Sequence, residues 1–79
     1  MTVLLFARLR EVVGAGHVEL ELPDGSDAAA AFTALASRAP ALDAMRPSIR
    51  CAVGGEYAPW SATLQDGVEL ALIPPTAGG

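Results

Sequence analysis

The 79 residues contain no lysine, one cysteine, one histidine and four aromatic residues. All five basic residues (Arg8, Arg10, Arg38, Arg46 and Arg50) are arginines, so the chain has no side-chain amine that its own C-terminus could acylate. They form no basic run, and with a net charge of −4 the chain lacks the positive footprint that phosphate backbones require. No nucleic acid partner is expected. His17 and Cys51 are single, so neither a His/Cys metal cluster nor a Cys/His or Ser/His/Asp constellation can be assembled, and no metal site is expected. A lone cysteine also excludes an intramolecular disulfide, which points to a reducing compartment, the cytoplasm. The run from Val3 to Ala7 is too short for a secretory core or a membrane span, so no membrane partner is expected either.

What is present describes a folded domain. Hydrophobic residues make up 52% of the chain and charged residues 18%, the balance of a globular protein. A chain of this length supports one core, with a stability on the order of 4 to 12 kcal/mol, too little to maintain a large internal cavity. Any chemistry is therefore expected at an edge or a terminus.

Thr2–Ala7 is short, apolar and rich in strand formers. Leu9, Val12 and Val13 then recur at helical spacing before Gly14 and Gly16, predicting a helix of one or two turns. From His17 to Leu22 the alternation of Val18, Leu20 and Leu22 with His17, Glu19 and Glu21 predicts a half-buried strand. Pro23-Asp24-Gly25 makes a turn and Ser26 is the expected N-cap, with Asp27 beside it at the positive helix end. Ala28–Arg38 reads as the only long helix, with Phe32, Leu35, Ala36 and Ala39 on one stripe and Pro40 as its stop. Ile49, Cys51 and Val53 alternate as a third strand, Gly54-Gly55 turns it, and Glu56-Tyr57 begins the return. After a turn at Asp66-Gly67, Val68, Leu70 and Leu72 alternate in a final strand that Pro74-Pro75 must end.

This order predicts an α+β domain: a mixed sheet packed on one main helix, over residues 1–75, with a free tail over 76–79. The helix supplies a crossover, so the first and last strands can pair in parallel at the sheet centre. His17 reads as a surface residue and Cys51 as a buried, inert thiol.

The tail is the one place left for chemistry. Proline stiffens the exit from the last strand, and Gly78-Gly79 form a tip without Cβ atoms that a narrow channel in another protein would admit. Simple fraying is the bland alternative. On the first reading Thr76, Ala77 and Gly78 thread the channel and the α-carboxylate of Gly79 is the reacting group. A carboxylate must be activated before it can transfer; attack on ATP gives an acyl-adenylate, and sulfur transfer to that carbonyl gives a thiocarboxylate.

The opening Leu5-Phe6-Ala7-Arg8-Leu9-Arg10-Glu11-Val12-Val13-Gly14, the strand ending at Val53, the turn Leu64-Gln65-Asp66-Gly67 and the ending Ile73-Pro74-Pro75-Thr76-Ala77-Gly78-Gly79 together resemble the small, sulfur-carrier subunit of molybdopterin synthase, in the ubiquitin-like β-grasp group. The resemblance implies a non-catalytic subunit with no bound cofactor. Gly79 would be adenylated at the expense of ATP by an adenylyltransferase of the ubiquitin-activating type, converted with a sulfur donor protein to a terminal thiocarboxylate (1-thioglycine), and inserted into the large synthase subunit. There the sulfur would build the dithiolene of molybdopterin. The family implies a heterotetramer of two small and two large subunits. The chain departs from the family at Gly54, where an asparagine is common, and at Leu72 and Ile73, where aromatics are common.

The strand register predicts Val3, Leu5, Val68, Leu70 and Leu72 against the helix, and Leu4, Phe6, Ala71 and Ile73 on the opposite, open face. That patch, joined by Tyr57 and by Pro74 and Pro75, is the expected partner-binding surface. The same tail also suits a sulfur carrier for thiamine, cysteine or tRNA thiolation, a ubiquitin-like protein modifier, or an interaction module whose tail is incidental.

Overall fold

The computed structural model describes residues 1–74; Pro75 and the tail Thr76-Ala77-Gly78-Gly79, with the expected boundary between them, lie outside the described residues. Five strands form one mixed sheet: β1 (Thr2–Leu5), β2 (His17–Glu19), β3 (Arg50–Val53), β4 (Glu56–Ala58) and β5 (Glu69–Ile73), in the order β2-β1-β5-β3-β4. The two central strands are parallel, with Thr2 opposite Glu69 and Leu5 opposite Leu72, as the crossover helix requires. The remaining pairs are antiparallel. With helices on one face only, this is the ubiquitin-like β-grasp.

The short helix α1 (Arg8–Val13) ends at Gly14, whose φ of 87° is the left-handed conformation that closes helices and whose N–H reaches the Arg10 carbonyl at 2.8 Å. The main helix α2 spans Ala28–Arg38, as its periodicity predicts. Its N-cap is Asp27 rather than Ser26: the Asp27 carboxylate accepts the Ala30 N–H at 2.8 Å, while the Ser26 hydroxyl donates to the Pro23 carbonyl inside the preceding turn. The Ala28 and Ala29 amides donate to the Ala62 and Trp60 carbonyls, so the helix's first amides are satisfied by the segment that leads to β5.

Pro40 ends α2 but not the helical region. It stands at the N-cap of a further short helix, α3 (Ala41–Met45), followed by a 3-10 turn at Arg46–Ser48. Proline is acceptable there because the first helical amides have no partner to lose. Four strands are also shorter than their sequence pattern: β3 and β5 each begin one residue late, after Ile49 and Val68. Ala7 turns away from β1, and β2 ends its pairing at Glu19, although Leu20 is still buried and Leu22 partly so.

The core lies between the sheet and the helices. Val3, Leu5, Cys51, Leu70 and Leu72 face Phe32 and Leu35 of α2, Leu9 of α1 and Leu42 of α3, all 2% exposed or less. No polar or charged residue is buried among the described residues. Burial of these side chains, at about 25 cal/mol per Å² of apolar surface, is the main term holding so short a chain together.

Candidate functional site

Opposed residues in a sheet point to the same side, so the pairings define its uncovered face. His17 of β2 lies opposite Leu4 of β1, Leu4 opposite Ala71 of β5, Ala71 opposite Ala52 of β3, and Ala52 opposite Tyr57 of β4. This row crosses all five strands on the face away from α2. Ala52 is only 7% exposed yet stands apart from the helix-side core. One step towards the end of β5, Ile73 lies opposite Arg50 on the same face.

The predicted division of faces therefore holds: Val3, Leu5, Leu70 and Leu72 are buried, while Leu4, Ala71, Ile73 and Pro74 are half-buried. Phe6 and Tyr57 are the two large apolar residues left open, at 46% and 71% exposure. Phe6 is not in β1. It is the last residue before a turn in which its carbonyl accepts from the Leu9 amide at 3.0 Å, and Ala7, the corner of that turn, has a φ of 50°. Pro75, Thr76, Ala77, Gly78 and Gly79 lie outside the described residues, so the structure places Leu4, Tyr57 and Ile73 on one face of the sheet, with Phe6 directly after β1 and Pro74 directly after β5, and stops one residue short of the rest.

His17 is exposed at the β2 end of the row. The Cys51 thiol is buried on the helix side, donates to the Ala58 carbonyl at 3.1 Å, and has its pKa pushed up by burial, the opposite of what a reactive thiolate needs. Among the described residues no group of three His, Cys, Asp or Glu side chains is placed to hold a metal ion, and no helix is long and apolar enough to cross a membrane.

One cluster was invisible in the sequence. The Arg46 guanidinium lies 5.2 Å from the Phe32 ring centre and 5.5 Å from that of Trp60, and the two rings meet edge to face at 5.3 Å. These residues come from three separated segments, and no local spacing brings them together. The cluster belongs to the helix side, away from the open face.

The profile of the ThiS family matches residues 3–79. The chain belongs to the ThiS family. Its curated relatives include the molybdopterin synthase sulfur carrier subunit of Arabidopsis thaliana, 40% identical over 98% of this chain and 80% of the relative. The protein of the same name from Chlamydomonas reinhardtii is 37% identical over 98% of this chain and 95% of its own. Among solved structures, small archaeal modifier protein 1 of Haloferax volcanii superposes with a TM-score of 0.85 at 31% identity, covering 95% of each chain. The resemblance to sulfur-carrier subunits of molybdopterin synthase is thus borne out over nearly the whole of this ThiS-family chain. The family departure at Gly54 has a conformational explanation: its φ of 60° is left-handed, a region that asparagine tolerates better than most side chains, so the two residues suit the same turn.

Proposed function

We propose that this protein carries sulfur as a thiocarboxylate on Gly79 and delivers it to the large subunit of molybdopterin synthase for dithiolene formation. The observation that carries the reading is the register: the strand that leads into Pro74 and the glycine end runs through the middle of an uncovered apolar row, with Phe6 exposed beside it. Docking and tail insertion then belong to one surface. The similarity of nearly the whole chain to sulfur carrier subunits supports the pathway.

The chemistry divides between chain and partners. An adenylyltransferase of the ubiquitin-activating type joins the Gly79 carboxylate to AMP, releasing pyrophosphate from ATP. The outer sulfur of a persulfide on a sulfur donor protein then attacks the carbonyl and displaces AMP, giving an acyl disulfide. A thiol cleaves its S–S bond, forming a disulfide with the donor's cysteine and releasing the thiocarboxylate. The thiocarboxylate is the nucleophile delivered to the large subunit, where two small subunits serve two large ones. The small subunit supplies position and the partners supply catalysis; the cytoplasm is where ATP and a reducing environment meet.

The test is reconstitution. Full-length chain prepared with a terminal thiocarboxylate, mixed with the large subunit and the cyclic pterin precursor, yields dithiolene, and the carboxylate form yields none. Equal product from both forms, or none from either, overturns the reading. A second reading, protein modification through an amide bond from Gly79, is favoured by the likeness to an archaeal modifier protein and predicts conjugates to target lysines instead.

A further inference from the structure

The charges are sorted along the strands. At the end where β5 stops, Arg50 lies opposite Ile73, and Arg46 opens the 3-10 turn that leads into β3, its carbonyl accepting from Ile49 at 3.1 Å. Arg8 opens α1 just beyond β1, and the Arg10 side chain lies beside Gly16, whose carbonyl accepts from Leu5. Four of the five arginines thus belong to segments at the end of the sheet where β5 stops, three of them (Arg8, Arg10 and Arg50) outside the aromatic cluster that holds Arg46, against two acids on the short helices there, Glu11 and Asp43.

The opposite end is acidic. Glu19 and Glu69 both lie opposite Thr2, and Glu56 lies opposite Val53 at the far end of β3. Glu21, Asp24 and Asp66 line a depression with Met1. Arg38 is the one arginine on this side, sharing a groove with Glu19 and Glu21. Asp27 is taken up as the cap of α2. Among the described residues none of the arginines is paired with a carboxylate; the ion pair found joins the Met1 ammonium to Glu19. The net charge of −4 therefore hides a positive end and a strongly negative one.

We propose that the arginine end, Arg8, Arg10 and Arg50, meets an acidic protein surface around the channel that accepts the C-terminal residues, and that this polarity steers tail-first association. The inference rests on the docking reading above and adds the charge of the partner's rim. Strands of this length hold the two ends about 15 Å apart. At 0.15 M ionic strength the screening length is about 8 Å, so a surface at the arginine end senses those arginines and little of the acidic end. At 0.01 M it is about 30 Å, and the whole negative charge opposes approach. Arginine is the suitable cation here, since it stays protonated and does not act as an amine nucleophile towards an activated carbonyl.

Association of the intact chain with the immobilised large subunit from the same host, followed at several salt concentrations, tests the proposal. At 0.15 M, Arg8→Gln/Arg50→Gln slows association severalfold, and Arg8→Lys/Arg50→Lys restores it. Glu19→Gln/Glu69→Gln accelerates association at 0.01 M and has little effect at 0.15 M. Circular dichroism confirms that each variant is folded. Unchanged or faster association of the Gln variant overturns the acidic rim while leaving the docking reading intact. No complex with the wild-type chain at any salt concentration overturns both.

Discussion

Leu9 donates its backbone N–H to the Phe6 carbonyl at 3.0 Å, across a turn whose corner, Ala7, is held at φ 50° and ψ −126°. These angles match the first corner of a type II′ turn, a position that favours glycine. An alanine there stores strain, and the buried Leu9 and the start of α1 hold it in place. Phe6 is exposed at that corner, so the strained backbone sets the direction of the most prominent apolar residue beside β5.

Ala7→Gly removes the strain at the cost of a more flexible unfolded chain. The expected net effect is a gain of about 0.5 to 2 kcal/mol in stability, measured by urea unfolding. A loss of stability would show that the turn is not strained.

Phe6→Asp and Tyr57→Ala separate folding from docking. Both side chains are largely open, so each variant changes stability by less than about 1 kcal/mol. Affinity for the large subunit falls by about 2 kcal/mol, roughly thirtyfold, if Phe6 anchors the interface. Titration calorimetry reads the affinity; an unchanged Kd for both variants would contradict the open face as the docking surface.

The helix-side cluster is structural. Arg46→Ala removes a cation over two aromatic faces and is expected to cost about 1 kcal/mol, and Phe32→Ala about 3 to 5 kcal/mol, enough to threaten the whole fold. Trp60, the single tryptophan, reports both in fluorescence-detected unfolding.

Cys51 makes stability depend on alkaline pH. Burial raises the thiol pKa in the folded state above its ordinary value of 9.0, so the folded chain keeps its proton where the unfolded chain has lost it. The contribution is complete below pH 9.0 and is lost as pH rises through the folded pKa. Cys51→Ala is expected to flatten the decline of stability above that pH, and wild-type Cys51 to react with iodoacetamide only on unfolding.

Where sequence reading succeeded, the physics was local or periodic. Ala28–Arg38 declared its helix through a four-residue stripe, Gly14 its C-cap, and Val3, Leu5, Leu70 and Leu72 their shared face through strict alternation. It failed where distant segments compete. Ser26 and Asp27 are both good caps, and the choice depends on the Pro23 carbonyl taking the Ser26 hydroxyl. Pro40 both stops one helix and starts another, and only the packing of Leu42 into the core distinguishes the two outcomes. The Arg46, Phe32 and Trp60 cluster has no local signal at all. Of the candidate site, Leu4 and Ile73 were legible from alternation, Tyr57 from its place in the hairpin and Pro74 from its place after the last strand; Phe6, extended from the same alternation, lies instead in the turn that leaves β1, and the sorting of charge needed the register.

The central claim, sulfur carried on Gly79, is tested most directly by the intact mass of the protein recovered from its native host during active cofactor synthesis, beside a Gly79 deletion. The account predicts a mass increase equal to replacing one oxygen by sulfur in the full-length chain and none in the deletion. Unmodified chain in repeated preparations, or lysine-linked conjugates in its place, would contradict it.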